Sequence, residues 1–148
     1  MLILFVCTGN TCRSPLAELY FNDFCRRAGM TDIKSSSAGV CAFNGGTISR
    51  ESAFILRENG ICSDGFRSRA ITPGMVNDAD LIVVMGASHK AALLDAFPEA
   101  APKTRLLMEF AGSAADVPDP YGGSAEYYRS VFEQMKNPLE KLAGSLFR

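Results

Sequence analysis

The six residues Met1 to Val6 form an unbroken apolar run that ends at Cys7 and gives way to Thr8-Gly9-Asn10-Thr11-Cys12-Arg13. A short apolar run that turns abruptly polar reads as a buried parallel strand running into a loop. Ser14-Pro15 follows; serine is a good N-cap and proline suits the first helical position. Leu16, Leu19, Tyr20 and Phe24 then recur at helical spacing until Gly29 ends the run. The chain begins strand, loop, helix, and its fold must accommodate that unit.

The pattern repeats. Ile33 to Ala38 reads as a second strand, followed by a glycine-rich loop through Asn44-Gly45-Gly46 and a helix from Ser49 to Asn59 stopped by Gly60. Leu81 to Met85 is the clearest later strand, with a helix from Ser88 to Phe97, a short strand from Arg105 to Met108 and a terminal helix from Ser124 to Leu146 after it. Alternating strands and helices predict an α/β fold, a parallel sheet covered on both faces. With 148 residues, 47% of them hydrophobic, and no linker-like interval or repeat, the whole span 1–148 is expected to form one domain.

The loop carries the chemistry. Cys7 and Arg13 place a thiol and a guanidinium at its two ends, directly ahead of a helix, a geometry suited to a phosphate dianion. Successive backbone N–H groups can point inward, the helix N-terminus adds partial positive charge, and Arg13 can fork onto two oxygens. The same field stabilises a thiolate at Cys7. Gly9 is expected to permit the unusual backbone angles of such a nest. Ser14 can donate to the sulfur or cap the helix, and Asn10 can brace the loop through its amide. The competing reading of Cys7 is a small buried hydrophobe at a strand end. The preceding strand, the enclosed glycine and the helix start favour the nucleophile.

Phosphoryl transfer to sulfur also needs a proton for the leaving group. Asp119 is the candidate, in the stiff segment Val117-Pro118-Asp119-Pro120-Tyr121-Gly122-Gly123. Its ordinary role in such company is an Asx-turn, and the local sequence leaves the two readings open.

Composition narrows the class. Fifteen basic and sixteen acidic residues, with no block of like charge, argue against docking to nucleic acid. The apolar start is too short for a signal or membrane segment. Five cysteines with no framework spacing suit a reducing, cytoplasmic compartment. One histidine and no Cys-x-x-Cys give no metal site, and His89 is expected to be a polar residue in the first turn of a helix.

Val6 to Glu18, together with Asp119-Pro120-Tyr121, closely resembles the low-molecular-weight protein tyrosine phosphatase family over the whole chain. Ser37-Ala38-Gly39, Arg69-Ala70-Ile71-Thr72 and Ala79 to Met85 fit as intermediate landmarks. The resemblance implies a four-stranded parallel sheet of order 2-1-3-4 in a three-layer sandwich, with the loop after the first strand where strand order reverses. It implies that Cys7 attacks phosphorus and Arg13 binds the phosphate. Asp119 protonates the leaving group and then activates water, without any cofactor. Thr8, Gly9, Asn10, Thr11, Cys12 and Ser14 complete the phosphate-binding loop, and Ser37 supports it. Phosphorylated proteins, and inorganic phosphate or other oxyanions, are the expected partners of a monomer.

Within the family the chain looks closest to the bacterial protein-arginine phosphatases, because Thr11 stands where tyrosine-specific members usually carry isoleucine. A hydroxyl with less apolar bulk favours phosphoguanidinium over a flat ring, and phosphotyrosine is the alternative. Tyr121 departs from the phenylalanine of arginine-specific relatives, and Tyr121-Gly122 from the tandem tyrosines of eukaryotic members. Phe43 falls where the family builds part of its substrate rim. The resemblance also implies that Cys12 can form a reversible disulfide with Cys7, the competing reading being a packed thiol beneath the loop. Cys25, Cys41 and Cys62 read as structural. An arsenate reductase of this fold needs two further cysteines close together downstream, and Leu81 to Leu107 contains none.

Overall fold

The computed structural model describes residues 1–147. Four parallel strands, β1 (Leu2–Cys7), β2 (Lys34–Gly39), β3 (Leu81–Val84) and β4 (Thr104–Leu106), lie in the order β2-β1-β3-β4. Register runs from Leu2↔Lys34 to Cys7↔Gly39 on one side of β1 and from Ile3↔Leu81 to Val6↔Val84 on the other. The chain leaves β1 toward one neighbour and later returns to the opposite side. The loop after Cys7 therefore sits where strand order reverses, at the crevice such sheets offer to ligands.

The pleat of β1 sorts its side chains between two layers of core. Ile3, Phe5 and Cys7 join the cluster under helices α1 (Arg13–Arg27), α2 (Arg50–Glu58) and α5 (Ala125–Leu146), which includes Leu16, Phe21, Ile55 and Phe132. Leu4 and Val6 join the cluster under α3 (Pro73–Asp78) and α4 (Ala87–Ala96), with Val76, Ile82, Val84 and Leu93. A strand covered on both faces is apolar without alternation, which is why Met1 to Val6 reads as it does. The order of strands and the helices on both faces agree with expectation.

Differences are local. Helix α2 starts where expected, after Ser49, whose hydroxyl accepts from Ser52 N–H, but α1 begins two residues earlier than a Ser14 cap implies, at Arg13, and its N-cap Cys12 supplies no side-chain acceptor. Ser14 lies inside the helix with its hydroxyl engaged elsewhere, and Pro15 sits in the first turn, where no intrahelical N–H bond is lost. Helix α3 was not anticipated although Thr72-Pro73 announces it: Thr72 accepts from Met75 N–H and Pro73 opens the turn. Short 3₁₀ segments, Pro98–Lys103 and Leu107–Ala111, flank β4. Pro138 inside α5 cannot donate to the Gln134 carbonyl. The helix runs on because Met135, Leu139 and Leu142 on its inner face are locked in the core. Among the described residues, no helix is long and apolar enough to cross a membrane.

Candidate active site

Residues 8 to 12 link β1 to α1, and the contacts made by their carbonyls determine what faces inward. The Cys7 and Thr8 carbonyls accept from Val40 N (3.0 Å) and Cys41 N (2.9 Å) of the loop after β2. The Thr11 carbonyl accepts from Ser49 N at 2.8 Å, and the Cys12 carbonyl from Ser52 Oγ at 3.3 Å. Each peptide is planar and trans, so a carbonyl held outward turns the following N–H the other way. The N–H groups of Thr8, Gly9, Cys12 and Arg13 are thereby directed away from the scaffold, and the uncapped start of α1 adds its own.

Two residues let the backbone close this tightly. Asn10, fully buried, has φ 56° and is the loop's left-handed residue. The nest's unusual angle therefore belongs to Asn10 rather than Gly9. Gly39 faces the loop from β2; a Cβ there would overlap the Thr8 carbonyl oxygen and lie 3.0 Å from Asn10 N.

Asn10 also organises a buried polar chain that ends on the sulfur. Arg69 N–H donates to Asn10 Oδ1 at 2.9 Å, which fixes the amide orientation. Asn10 Nδ2 then donates to Ser14 Oγ (2.8 Å) and to Ser37 Oγ (2.9 Å). Ser37 donates its own hydrogen to Glu18 Oε1 at 2.7 Å. Ser14 Oγ, already accepting from Asn10, lies 2.9 Å from Cys7 Sγ and directs its hydrogen there when the sulfur is ionised. Burial pushes the Glu18 carboxyl up, against the pull of Ser37 and of the Arg69 guanidinium. Ser37 thus supports the loop through Asn10, and Glu18 is a member of the chain that local pattern did not single out.

Arg13 closes the site. Its side chain is buried, donating to the Val117 carbonyl at 3.1 Å, with a second nitrogen 3.5 Å from His89 Nε2. Asp119 stands 3.7 Å from the guanidinium with its side chain 58% exposed, and its Oδ1 accepts from Tyr121 N at 3.1 Å. The Asx-turn and a place beside Arg13 are therefore both true of Asp119. Cys7, Thr11, Cys12 and Arg13 line a cavity of about 260 Å³, with Asp119 and Tyr121 on its outer wall. Tyr121 is 81% exposed.

The remaining candidates disperse. Cys12 Sγ lies 3.4 Å from the buried Tyr128 hydroxyl and 3.7 Å from Thr11 Oγ1. Burial first, and the Cys12 contact second, push the Tyr128 phenol up. Phe43 is 88% exposed and stands outside the cavity lining, although its loop is bonded to Thr8. Cys25 is packed in the core, whereas Cys41 and Cys62 are exposed and do not fill the structural role expected of them. His89 is in the first turn of α4, yet buried against Thr8 and Arg13 rather than solvated. Among the described residues, no three His, Cys, Asp or Glu side chains converge to hold a metal ion.

A thiol at the floor of an N–H-lined cradle, closed by a guanidinium and overlooked by a carboxylate, can bind an oxyanion and attack its central atom. Comparison with known proteins agrees with that chemistry. The family model described as low molecular weight phosphotyrosine protein phosphatase matches residues 2–148. The chain belongs to that family. This phosphatase is 35% identical over 145 residues to a protein-arginine-phosphatase of Geobacillus stearothermophilus, covering 97% of the chain and 95% of the relative. It superposes with TM-score 0.94 and 40% identity on a low molecular weight protein tyrosine phosphatase from T. tengcongensis, covering 99% of each chain. It also superposes with TM-score 0.94 and 35% identity on a cysteine-to-serine variant of the YwlE arginine phosphatase whose active-site serine is phosphorylated, covering 99% of this chain and 95% of that one.

Proposed function

We propose that the phosphatase removes phosphoryl groups from protein side chains with Cys7 as nucleophile, and that phosphoarginine is its preferred substrate. The carrying observation is the convergence of Cys7 and Arg13 on one cavity with Asp119 at its mouth. In the first step Cys7 Sγ forms a bond to phosphorus while the P–N or P–O bond to the side chain breaks, and Asp119 gives its proton to the departing nitrogen or oxygen. The backbone N–H groups and Arg13 hold the phosphoryl oxygens throughout. In the second step Asp119 takes a proton from water, the water oxygen bonds to phosphorus, the S–P bond breaks, and inorganic phosphate leaves with the thiolate restored.

The substrate preference rests on Thr11, whose side chain lines the cavity where an isoleucine would present only hydrocarbon. Phosphotyrosine is the second reading, favoured by Tyr121, an exposed aromatic on the cavity wall positioned to pack against a phenyl ring. Percentage identity does not separate the two, since relatives named for either substrate match comparably well. We place the enzyme in the cytoplasm as a monomeric domain spanning 1–148, a reading supported by five unpaired thiols. Phe43 is assigned to the outer substrate rim, because its loop carries the Cys41 N–H that holds the Thr8 carbonyl.

The deciding experiment compares kcat/KM on phosphoarginine and phosphotyrosine peptides in wild type and Thr11→Ile. Wild type should favour phosphoarginine, and the substitution should shift the ratio toward phosphotyrosine by about tenfold. A wild-type preference for phosphotyrosine would remove the substrate assignment and leave the mechanism standing. Cys7→Ser should abolish turnover while still binding phosphate, and turnover in that variant would remove the nucleophile.

A further inference from the structure

His89 is the chain's single histidine, and its ring is buried behind the phosphate cradle with contacts that determine where its proton sits. Nε2 lies 2.9 Å from Thr8 Oγ1 and 3.5 Å from an Arg13 nitrogen. An arginine N–H can only donate, so Nε2 must present a lone pair to both neighbours, and the Thr8 hydroxyl must be the donor in their bond. The ring proton of the neutral imidazole is then on Nδ1, a buried atom with no hydrogen-bond partner among the described residues. The opposite tautomer would aim an N–H at the Arg13 donors. An imidazolium would set a second cation against the guanidinium.

We propose that His89 is a positioning residue for Arg13: its neutral, Nδ1-protonated imidazole offers Nε2 to Thr8 and Arg13 and fixes the guanidinium that closes the phosphate cradle. The inference rests on the proposed role of Arg13 in binding phosphate. Arg13 is otherwise tethered by the Val117 carbonyl alone on its inner side, with the mostly exposed Asp119 outside. One tether leaves the planar group free to pivot about its bond, whereas two set its plane.

The same arrangement predicts an acid limit. The charged groups facing the ring are Arg13 at the start of α1 and Asp116 and Asp119 on the segment after β4. Burial first and Arg13 second hold His89 below its ordinary range, against the two carboxylates. Protonation would turn Nε2 from acceptor to donor and detach Arg13, loosening the hold on substrate phosphate.

The test pairs spectroscopy with kinetics. Nitrogen-15 NMR of the histidine ring in the wild-type protein at pH 7 should show a neutral ring protonated on Nδ1; an Nε2–H ring or an imidazolium would overturn the proposal. His89→Leu should lower kcat/KM on an aryl phosphate about tenfold and weaken inhibition by inorganic phosphate to match. His89→Gln, which can place a carbonyl oxygen near the Nε2 position, should recover most of that loss. Its activity relative to wild type should rise once the pH falls below the ordinary histidine range and into the lowered range of His89, because the amide does not protonate. Equal losses in both variants, or a flat ratio against pH, would overturn the positioning role even if one variant folds poorly. If wild type fails to hydrolyse aryl phosphates, the phosphatase reading falls instead, and the NMR result still decides the tautomer.

Discussion

Asn10→Asp isolates the polar chain behind Cys7 with almost no change of shape. Aspartate tolerates left-handed backbone about as well as asparagine and keeps an oxygen for Arg69 N–H. It cannot donate. The Ser14 and Ser37 hydroxyls, which accept from Asn10 Nδ2 at 2.8 and 2.9 Å, would instead turn their hydrogens toward the new carboxylate. Ser14 would then leave the Cys7 sulfur without the hydrogen it directs across 2.9 Å. A hydrogen bond to a charged group contributes about 1.5–3 kcal/mol. At about 1.4 kcal/mol per tenfold, kcat/KM on an aryl phosphate should fall about ten- to 150-fold. The added negative charge near the sulfur acts in the same direction. Steady-state kinetics on folded protein, with circular dichroism as the control, measures this directly. Ser14→Ala should lose a similar amount, and the double variant little more than either, because both remove the same bond. Activity of Asn10→Asp within about twofold of wild type would show that Asn10 does not set the direction of the Ser14 hydroxyl.

Asp119→Ala should slow hydrolysis of phenyl phosphate far more than that of an activated ester such as nitrophenyl phosphate, since only the poor leaving group needs the proton. Equal losses would reduce Asp119 to its Asx-turn. Glu18 has a folded pKa raised by burial, so folding favours its protonated form. The resulting stability is fully present below the ordinary glutamate range and is lost as pH rises through the higher folded value. In Glu18→Gln that slope should disappear when melting temperature is followed against pH, and an unchanged slope would refute the assignment. Gly39→Ala should lower stability in urea by about 1–3 kcal/mol, because the new methyl meets the Thr8 carbonyl and the Asn10 amide at once. Wild-type stability in that variant would mean that the loop has slack.

What the sequence revealed and what it concealed divide by distance along the chain. The strand, loop and helix of residues 1–27 follow from an apolar run and helical periodicity, both local signals, as does the span of α2. The cradle's two ends were legible because thiol and guanidinium chemistry needs no partner to be recognised. The roles of Ser14 and Asn10 within it were only partly so. Ser14 reads as either a cap or a donor to the sulfur until Asn10 is seen to donate to its oxygen, which leaves its hydrogen for Cys7. Gly9 looks like the flexible residue until Arg69 is seen to hold Asn10 in the left-handed region. His89 read as an ordinary polar residue for the same reason: its contacts are with Thr8 and Arg13, more than seventy positions away. Cys41 and Cys62 were misjudged because burial is decided by packing of whole loops, which residue type alone does not set.

The cradle's tethers also determine when, during folding, the enzyme becomes an enzyme. Residues 7 to 13 form one short loop, yet Asn10 is held by Arg69 from 59 residues away, Thr8 by His89 from 81, and Arg13 by Val117 from 104. Contacts so far apart in sequence must await closure of long loops, after local helices have formed. On refolding, recovery of activity should therefore trail recovery of helical dichroism. Until the segment around Val117 joins the cradle, Cys7 keeps the surroundings of an ordinary cysteine, and its arrival completes the setting that distinguishes the thiol.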